Sequence, residues 1–257
     1  MRPPLAGFWL LLLWSSTCGA QEGETPLPDS IHFISAVCTR FRWVSDLPLA
    51  TNTVVLLDRT VRILDPEAVV EAWNDGTASE FLRWTEGRRL SARKKWLVFY
   101  FSSHQKTDGR IKFSEGDDLP PEKLVAAVNE MGRDSERVLF INDSCYAASL
   151  EKTGGFASNV MRCYSSREEE EAVDVEFDKG PAGVEEFMQP ERAGLRVNWG
   201  WDPPGMSFLG IAGLKAGWGK RLRTCDAFWR ELLRAREAYH DSVRPGRVQH
   251  FVLVPAL

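Results

Sequence analysis

The chain has 257 residues, 44% of them hydrophobic and 26% charged, which is enough to bury a substantial core and excludes a disordered polymer. Its formal net charge of −4 argues against a general nucleic-acid binder, which needs a basic surface. Length favours one domain, or one domain with an appendage.

The first twenty residues stand apart in composition and are not expected to belong to the fold. "MRPPLAGFWLLLLWSSTCGA" sets Arg2 ahead of an apolar run from Phe8 to Trp14, followed by small residues at Cys18 and Ala20. Residues 1–20 therefore read as a secretory signal peptide cut after Ala20, since the apolar run is too short to persist as a spanning helix. Cys18 leaves a lipoprotein-type anchor as the alternative. The expectation is an exported protein, secreted or periplasmic, with no stable membrane insertion after cleavage. Residues 21–30, "QEGETPLPDS", read as a flexible polar leader, and 31–257 as the folded domain. Cleavage leaves Cys38, Cys145, Cys163 and Cys225. An even count in an oxidising compartment suggests pairing, limited to one disulfide if one of the four is a nucleophile; Cys163–Cys225 is one candidate pair.

Within the domain, Ile31–Val37 reads as the first strand. The β-branched runs "TVVLL" (53–57) and "TVRIL" (60–64) predict a hairpin or one interrupted strand. "DPEAVVEAW" (65–73) predicts a short helix with Pro66 in its first turn. "TASEFLRWTEGRRL" is a firmer helix, with Thr77 and Glu80 as a capping box and Phe81 and Trp84 on its apolar face.

The central pattern is clearer. Trp96–Phe101 is continuously apolar, as expected of a strand covered on both faces. "TDG" at 107–109 is turn chemistry, with Ile111–Phe113 returning as a short strand. "DDLPPEKLVAAVNEMG" predicts a helix capped by Asp118, with Leu124, Val128 and Met131 on one face and Gly132 as terminator. Arg137–Asn142 and Val160–Tyr164 read as further strands, Thr224–Tyr239 as a helix and Val248–Val254 as a closing strand. Strand, helix, strand with both strands apolar throughout implies parallel neighbours joined by a right-handed crossover.

In such a sheet functional groups gather at the carboxyl ends of the strands. Two adjacent ends offer His104 and Cys145. The run "VLFINDSCYAASL" predicts a strand, a polar cap and a helix start, with Cys145 in the first helical turn, where free N–H groups favour a thiolate and can hold an oxyanion. His104 can take the thiol proton or protonate a leaving amine. The bland readings stand beside this: a lone cysteine is often a small buried hydrophobe.

"LVFYFSSHQ" followed by "RVLFINDSCYAAS" resembles the caspase-like cysteine peptidases, the group of caspases, metacaspases and legumains, over roughly residues 31–165. The resemblance implies a three-layer α/β/α sandwich with a mostly parallel central sheet, an endopeptidase activity with His104 and Cys145 as the catalytic pair, and a peptide or protein as substrate, with no cofactor. "DSCYAAS" is nearest to the metacaspase pattern. In that pattern Asp143 would line a pocket for Arg or Lys; capping of the following helix is the alternative. A preference for Asp would need basic residues instead, for which Arg40 and Arg42 are the candidates. The family's glycine after the histidine, whose N–H helps bind the oxyanion, is replaced by Gln105, which keeps that N–H but whose Cβ and long side chain would narrow the approach and disfavour positive φ. Tyr146 stands where metacaspases have histidine, and Ala147–Ala148 where Ser-Gly is common. Those departures keep open a catalytically silent member that only binds peptide or protein. A redox domain using Cys145 as a sensor thiol is the third reading.

The other features carry less. "NDS" (142–144) is a glycosylation sequon, expected to stay unmodified at the end of a buried strand. Glu168–Glu171 reads as a solvated segment, and 205–220 as a flexible wall of the cleft. The four histidines show no HExxH spacing and no cysteines form CxxC, so no metal site is expected.

Overall fold

In the computed structural model the described residues are 30–48, 50–86, 88, 96–172, 174–176, 205–207 and 252–256. The expected signal peptide, all of the leader except Ser30, the 224–239 helix and Cys225 lie outside them.

The described chain is α/β. Its centre is a sheet of six strands in the order β10-β7-β6-β3-β1-β2, built from β1 (Ile31–Val37), β2 (Val69–Asn74), β3 (Trp96–Ser102), β6 (Arg137–Asn142), β7 (Val160–Tyr164) and β10 (Val252–Val254). All neighbours are parallel except β10, which runs antiparallel to β7. The short strands β4 (His104–Gln105) and β5 (Ile111–Lys112) form a separate ribbon around the predicted turn. A second ribbon pairs β8 (Asp174–Glu176) with β9 (Gly205–Ser207), so the first residues of the 205–220 segment are a strand.

The central strands are apolar on both faces because both are covered. Every residue of β1, β3 and β7 is buried. Ile34, Leu97, Phe99, Phe101, Val138 and Phe140 share one core with Phe81 of α2 (Ala78–Glu86) and Leu124 and Val128 of α3 (Pro121–Met131). This core is aromatic: Phe81 meets Phe113 at 5.4 Å and Phe101 at 5.9 Å, and Phe99 stacks on Phe140 at 5.5 Å. Each such pair adds about 0.5–1.5 kcal/mol beyond its buried area. Residues of the other parity, such as Phe33, Val98, Tyr100, Leu139 and Ile141, are buried on the opposite face.

Two expectations are exchanged in the structure. The β-branched stretch expected as strands is the helix α1 (Ala50–Leu64), and the stretch expected as a short helix turns at Pro66 and enters the edge strand β2. The reason is spacing. Thr53, Leu56, Leu57, Thr60, Val61 and Leu64 are buried, each three or four residues from another on one helix face, and two of them are threonines. Thr60 buries its hydroxyl by donating to the Leu56 carbonyl one turn back.

At the helix ends two expectations are met and one is corrected. Thr77 and Glu80 form the expected capping box: the Glu80 N–H donates to Thr77 Oγ1 at 3.2 Å and the Thr77 N–H to Glu80 Oε2 at 2.8 Å. Asp118 does not cap α3, whose N-cap is Pro120 with no side-chain bond; its carboxylate instead pairs with Lys106 Nζ. Gly132 closes the helix as expected.

No described helix is long and apolar enough to cross a membrane.

Candidate active site

The strand order departs from β1 in two directions, to β2 on one side and to β3, β6 and β7 on the other. The carboxyl ends of β1 and β3 therefore flank the topological switch point, where loops diverge and leave a crevice. A cleft of about 230 Å³ lies there, lined by Ser45 and Leu47 from the loop after β1, Ser103 and His104 after β3, and Asp143, Cys145 and Ala172. His104, Asp143 and Cys145 thus share one cleft. Gln105 is not among its lining residues.

His104 is half-buried and held from the β1 side. Its Nε2 lies 2.8 Å from the Ser45 carbonyl oxygen, and the Phe41 ring packs on the imidazole at 4.6 Å. A carbonyl can only accept, so Nε2 carries the hydrogen and Nδ1 is left as the nitrogen able to accept a proton. The loop that supplies Ser45 is itself fastened. The Leu47 N–H donates to the Thr39 carbonyl at 2.8 Å, and Asp75 accepts from Thr39 N–H, Arg40 N–H and the Thr39 and Ser114 hydroxyls. Burial pushes the Asp75 carboxyl up, but those four donors outweigh it and hold it below the usual range. Arg40 and Arg42 are exposed, and neither lines the cleft.

Cys145 is half-buried, with Sγ 3.9 Å from the Ala172 carbonyl oxygen. It does not lie in the first turn of an α-helix. It sits in a turn ahead of a six-residue 3-10 helix, Ala147–Lys152, and Tyr146 between them is left-handed at φ 52°, ψ 27°. The N–H groups expected to be free there are taken. Tyr146 donates to Glu170 O at 2.7 Å, Ala147 to Ser166 Oγ at 3.0 Å and Ala148 to Ser166 O at 3.2 Å. The acidic segment keeps Glu168, Glu169 and Glu171 exposed, as expected of a solvated stretch, yet the carbonyls of Glu170 and of Ala172 just beyond it face the Cys145–Tyr146 turn.

Asp143 is buried, follows β6 directly, and accepts from Tyr100 Oη at 2.8 Å. The helix after it starts beyond Tyr146 with no side-chain cap, so the capping alternative is not what the structure contains.

Gln105 answers differently from its sequence reading. A long side chain there was expected to narrow the approach and to disfavour the conformation that glycine would allow. Gln105 instead has no positive φ, and its side chain is turned inward, 4% exposed, among Asn142, Tyr146 and Ser149.

The other thiols among the described residues are passive. Cys38 and Cys163 are buried and free; burial pushes Cys38 up to about 11 and Cys163 higher still. Asn142 of the sequon is fully buried. Among the described residues no group of three or more acidic, histidine or cysteine side chains could hold a metal.

Sequence reasoning missed Phe41, Ser45, Ser166, Glu170 and Ala172. Ser45, Glu170 and Ala172 act through backbone carbonyls, which any residue has, so their identity carries no signal. No protein-family model matches the chain, and no curated protein matches it.

Proposed function

We propose that the chain is an exported caspase-like cysteine endopeptidase, with the three-layer α/β/α sandwich of that group. The observation that carries this reading is the convergence of His104 and Cys145 on one cleft at the sheet's switch point, with the imidazole oriented by the Ser45 carbonyl. In the proposed reaction the Cys145 thiol gives its proton to His104 Nδ1 and the sulfur attacks the substrate carbonyl carbon. The C–N bond then breaks as His104 returns the proton to the leaving amine, and water releases the acyl group from the thioester. The N–H groups of Tyr146, Ala147 and Ala148 are engaged, so in this reading the oxyanion role goes to backbone N–H groups nearer the dyad, those of Gln105 and Cys145. Asp143, buried on the cleft wall, suits a substrate residue of positive charge, Arg or Lys. The substrate is a peptide or protein, and the reaction as written needs no cofactor.

The test is a set of Arg- and Lys-ended reporter peptides with the secreted protein under reducing conditions. Turnover that disappears in both Cys145→Ala and His104→Ala supports the reading; absence of turnover with all peptides counts against it. The engaged N–H groups after Cys145 favour the second reading, a silent relative that binds peptide without cutting. Saturable peptide binding to a protein that never turns over would select it.

A further inference from the structure

We infer that Gln105 is a positioning residue: its side-chain amide holds Tyr146 in the left-handed conformation and through that turn aims Cys145 into the cleft. This rests on the proposed role of Cys145 as nucleophile.

The amide oxygen and both N–H donors of the NH₂ group each meet a partner. Oε1 accepts from Asn142 Nδ2 at 2.9 Å, and Nε2 donates to the Tyr146 carbonyl at 3.2 Å and to Ser149 Oγ at 2.9 Å. The orientation is fixed by chemistry, since the Tyr146 carbonyl can only accept and must face the NH₂ group. One side chain thus bridges three places: the strand that carries His104, the last residue of β6, and the turn that carries Cys145.

Tyr146 is the residue that needs holding. Among the described residues only Asp75 and Tyr146 are non-glycine with positive φ. A residue with a Cβ stays in that region only when its surroundings over-determine it. Tyr146 is pinned at both ends. Its N–H donates to Glu170 O, its carbonyl accepts from Gln105 Nε2 and from the Ser149 N–H at 2.9 Å, and its hydroxyl reaches Glu171 Oε1 at 3.1 Å. Loss of Gln105 leaves one lone pair of the Tyr146 carbonyl and the Asn142 Nδ2 donor without this partner beside a buried strand end. The residue immediately before Tyr146 is Cys145, so a relaxed turn redirects the thiol. Glycine at 105 would supply none of these contacts.

The experiment compares two labels on Cys145, each mapped by mass spectrometry. A peptidyl acyloxymethyl ketone ending in arginine needs an aimed thiol, whereas iodoacetamide needs only an accessible one. Gln105→Ala is expected to slow the ketone about tenfold or more, the scale of a misplaced reacting group, and to leave the iodoacetamide rate within about threefold. Tyr146→Gly, which accepts positive φ without help, is expected to restore most of the ketone rate when combined with Gln105→Ala. Gln105→Glu keeps the chain length and the acceptor for Asn142 but sets a carboxylate against the Tyr146 carbonyl. It serves as the second variant should Gln105→Ala not fold, with the same expected loss. An unchanged ketone rate in Gln105→Ala or Gln105→Glu overturns the inference, as does new iodoacetamide labelling of Cys38 and Cys163, which signals general loosening. A wild-type protein that takes up no ketone label refutes the peptidase reading and this inference together; a labelled wild type with indifferent Gln105 variants refutes the inference alone.

Discussion

Tyr100 in β3 donates its hydroxyl to Asp143 Oδ2 at 2.8 Å, linking the middle of one central strand to the residue that follows its neighbour. Both side chains are buried. Tyr100→Phe keeps the ring and removes the donor, so the expected loss is about 1–3 kcal/mol of unfolding free energy. Urea denaturation at neutral pH measures it, and an unchanged midpoint would show that the bond contributes nothing net.

A second, partly buried bond network sits at the other side of the sheet. The Arg162 guanidinium donates to Glu151 Oε1 at 2.9 Å and to the Val160 carbonyl at 2.7 Å, and the Tyr164 hydroxyl donates to the same carboxylate oxygen at 2.5 Å. Removing one partner of a buried pair strands the other. Glu151→Ala is expected to cost about 3 kcal/mol, the low end for such pairs, because the carboxylate is 34% exposed. Glu151→Gln should recover part of it by retaining an acceptor. Equal denaturation midpoints for the wild type and Glu151→Ala would contradict this.

Asp75 gives a pH dependence with a definite sign. Its folded pKa is depressed below the unfolded value by the donors that close the loop after β1, against the opposing push of burial. Stability from it is therefore complete above the ordinary carboxylate range, about pH 4, and is lost as pH falls through the lower folded value. Asp75→Asn is expected to be less stable than wild type at pH 7, and the gap should narrow towards pH 3. Denaturation at the two pH values reads the difference; a gap that widens in acid would reverse the sign assigned here.

The thiols should separate cleanly under native conditions. At pH 8, a thiol displaced to about 11 is ionised in roughly one molecule in a thousand, and Cys38 is also shielded from reagent. Cys163 is more strongly displaced, with burial the main cause and the nearby Asp143 adding to it. Half-buried Cys145 lines the cleft. Mass-mapped alkylation should find label on Cys145 long before either of the others, and on Cys38 and Cys163 only as urea unfolds the sheet. Early label on Cys163 would contradict the burial described for β7.

Legibility followed the kind of signal each feature leaves. Fully buried strands announce themselves as apolar runs, so β1, β3, β6 and β7 were readable, and so was the Thr77–Glu80 box, whose chemistry is local. The exchange between α1 and β2 had a different cause. Thr53 and Thr60 belong to the buried stripe of a helix, and β-branched content masked their three-and-four spacing, while Val69–Asn74 is an edge strand that alternates poorly. His104, Asp143 and Cys145 were placed at strand ends by pattern, and the structure brings all three to one cleft. The reversal at Gln105 was not readable. Whether a glutamine side chain points into a cleft or into the interior depends on partners such as Asn142 and Ser149, distant in sequence and unremarkable in type.

The parallel order of β1, β3 and β6 also governs when the cleft comes into being. None of these strands can pair with the next through a tight turn; each pairing must close a loop containing at least one helix before its contacts repay the lost chain entropy. Ser45, His104 and Cys145 hang from three different strand ends and have no local route to one another. The meeting of the two groups is therefore a property of the assembled sheet, absent from any fragment that stops short of β6.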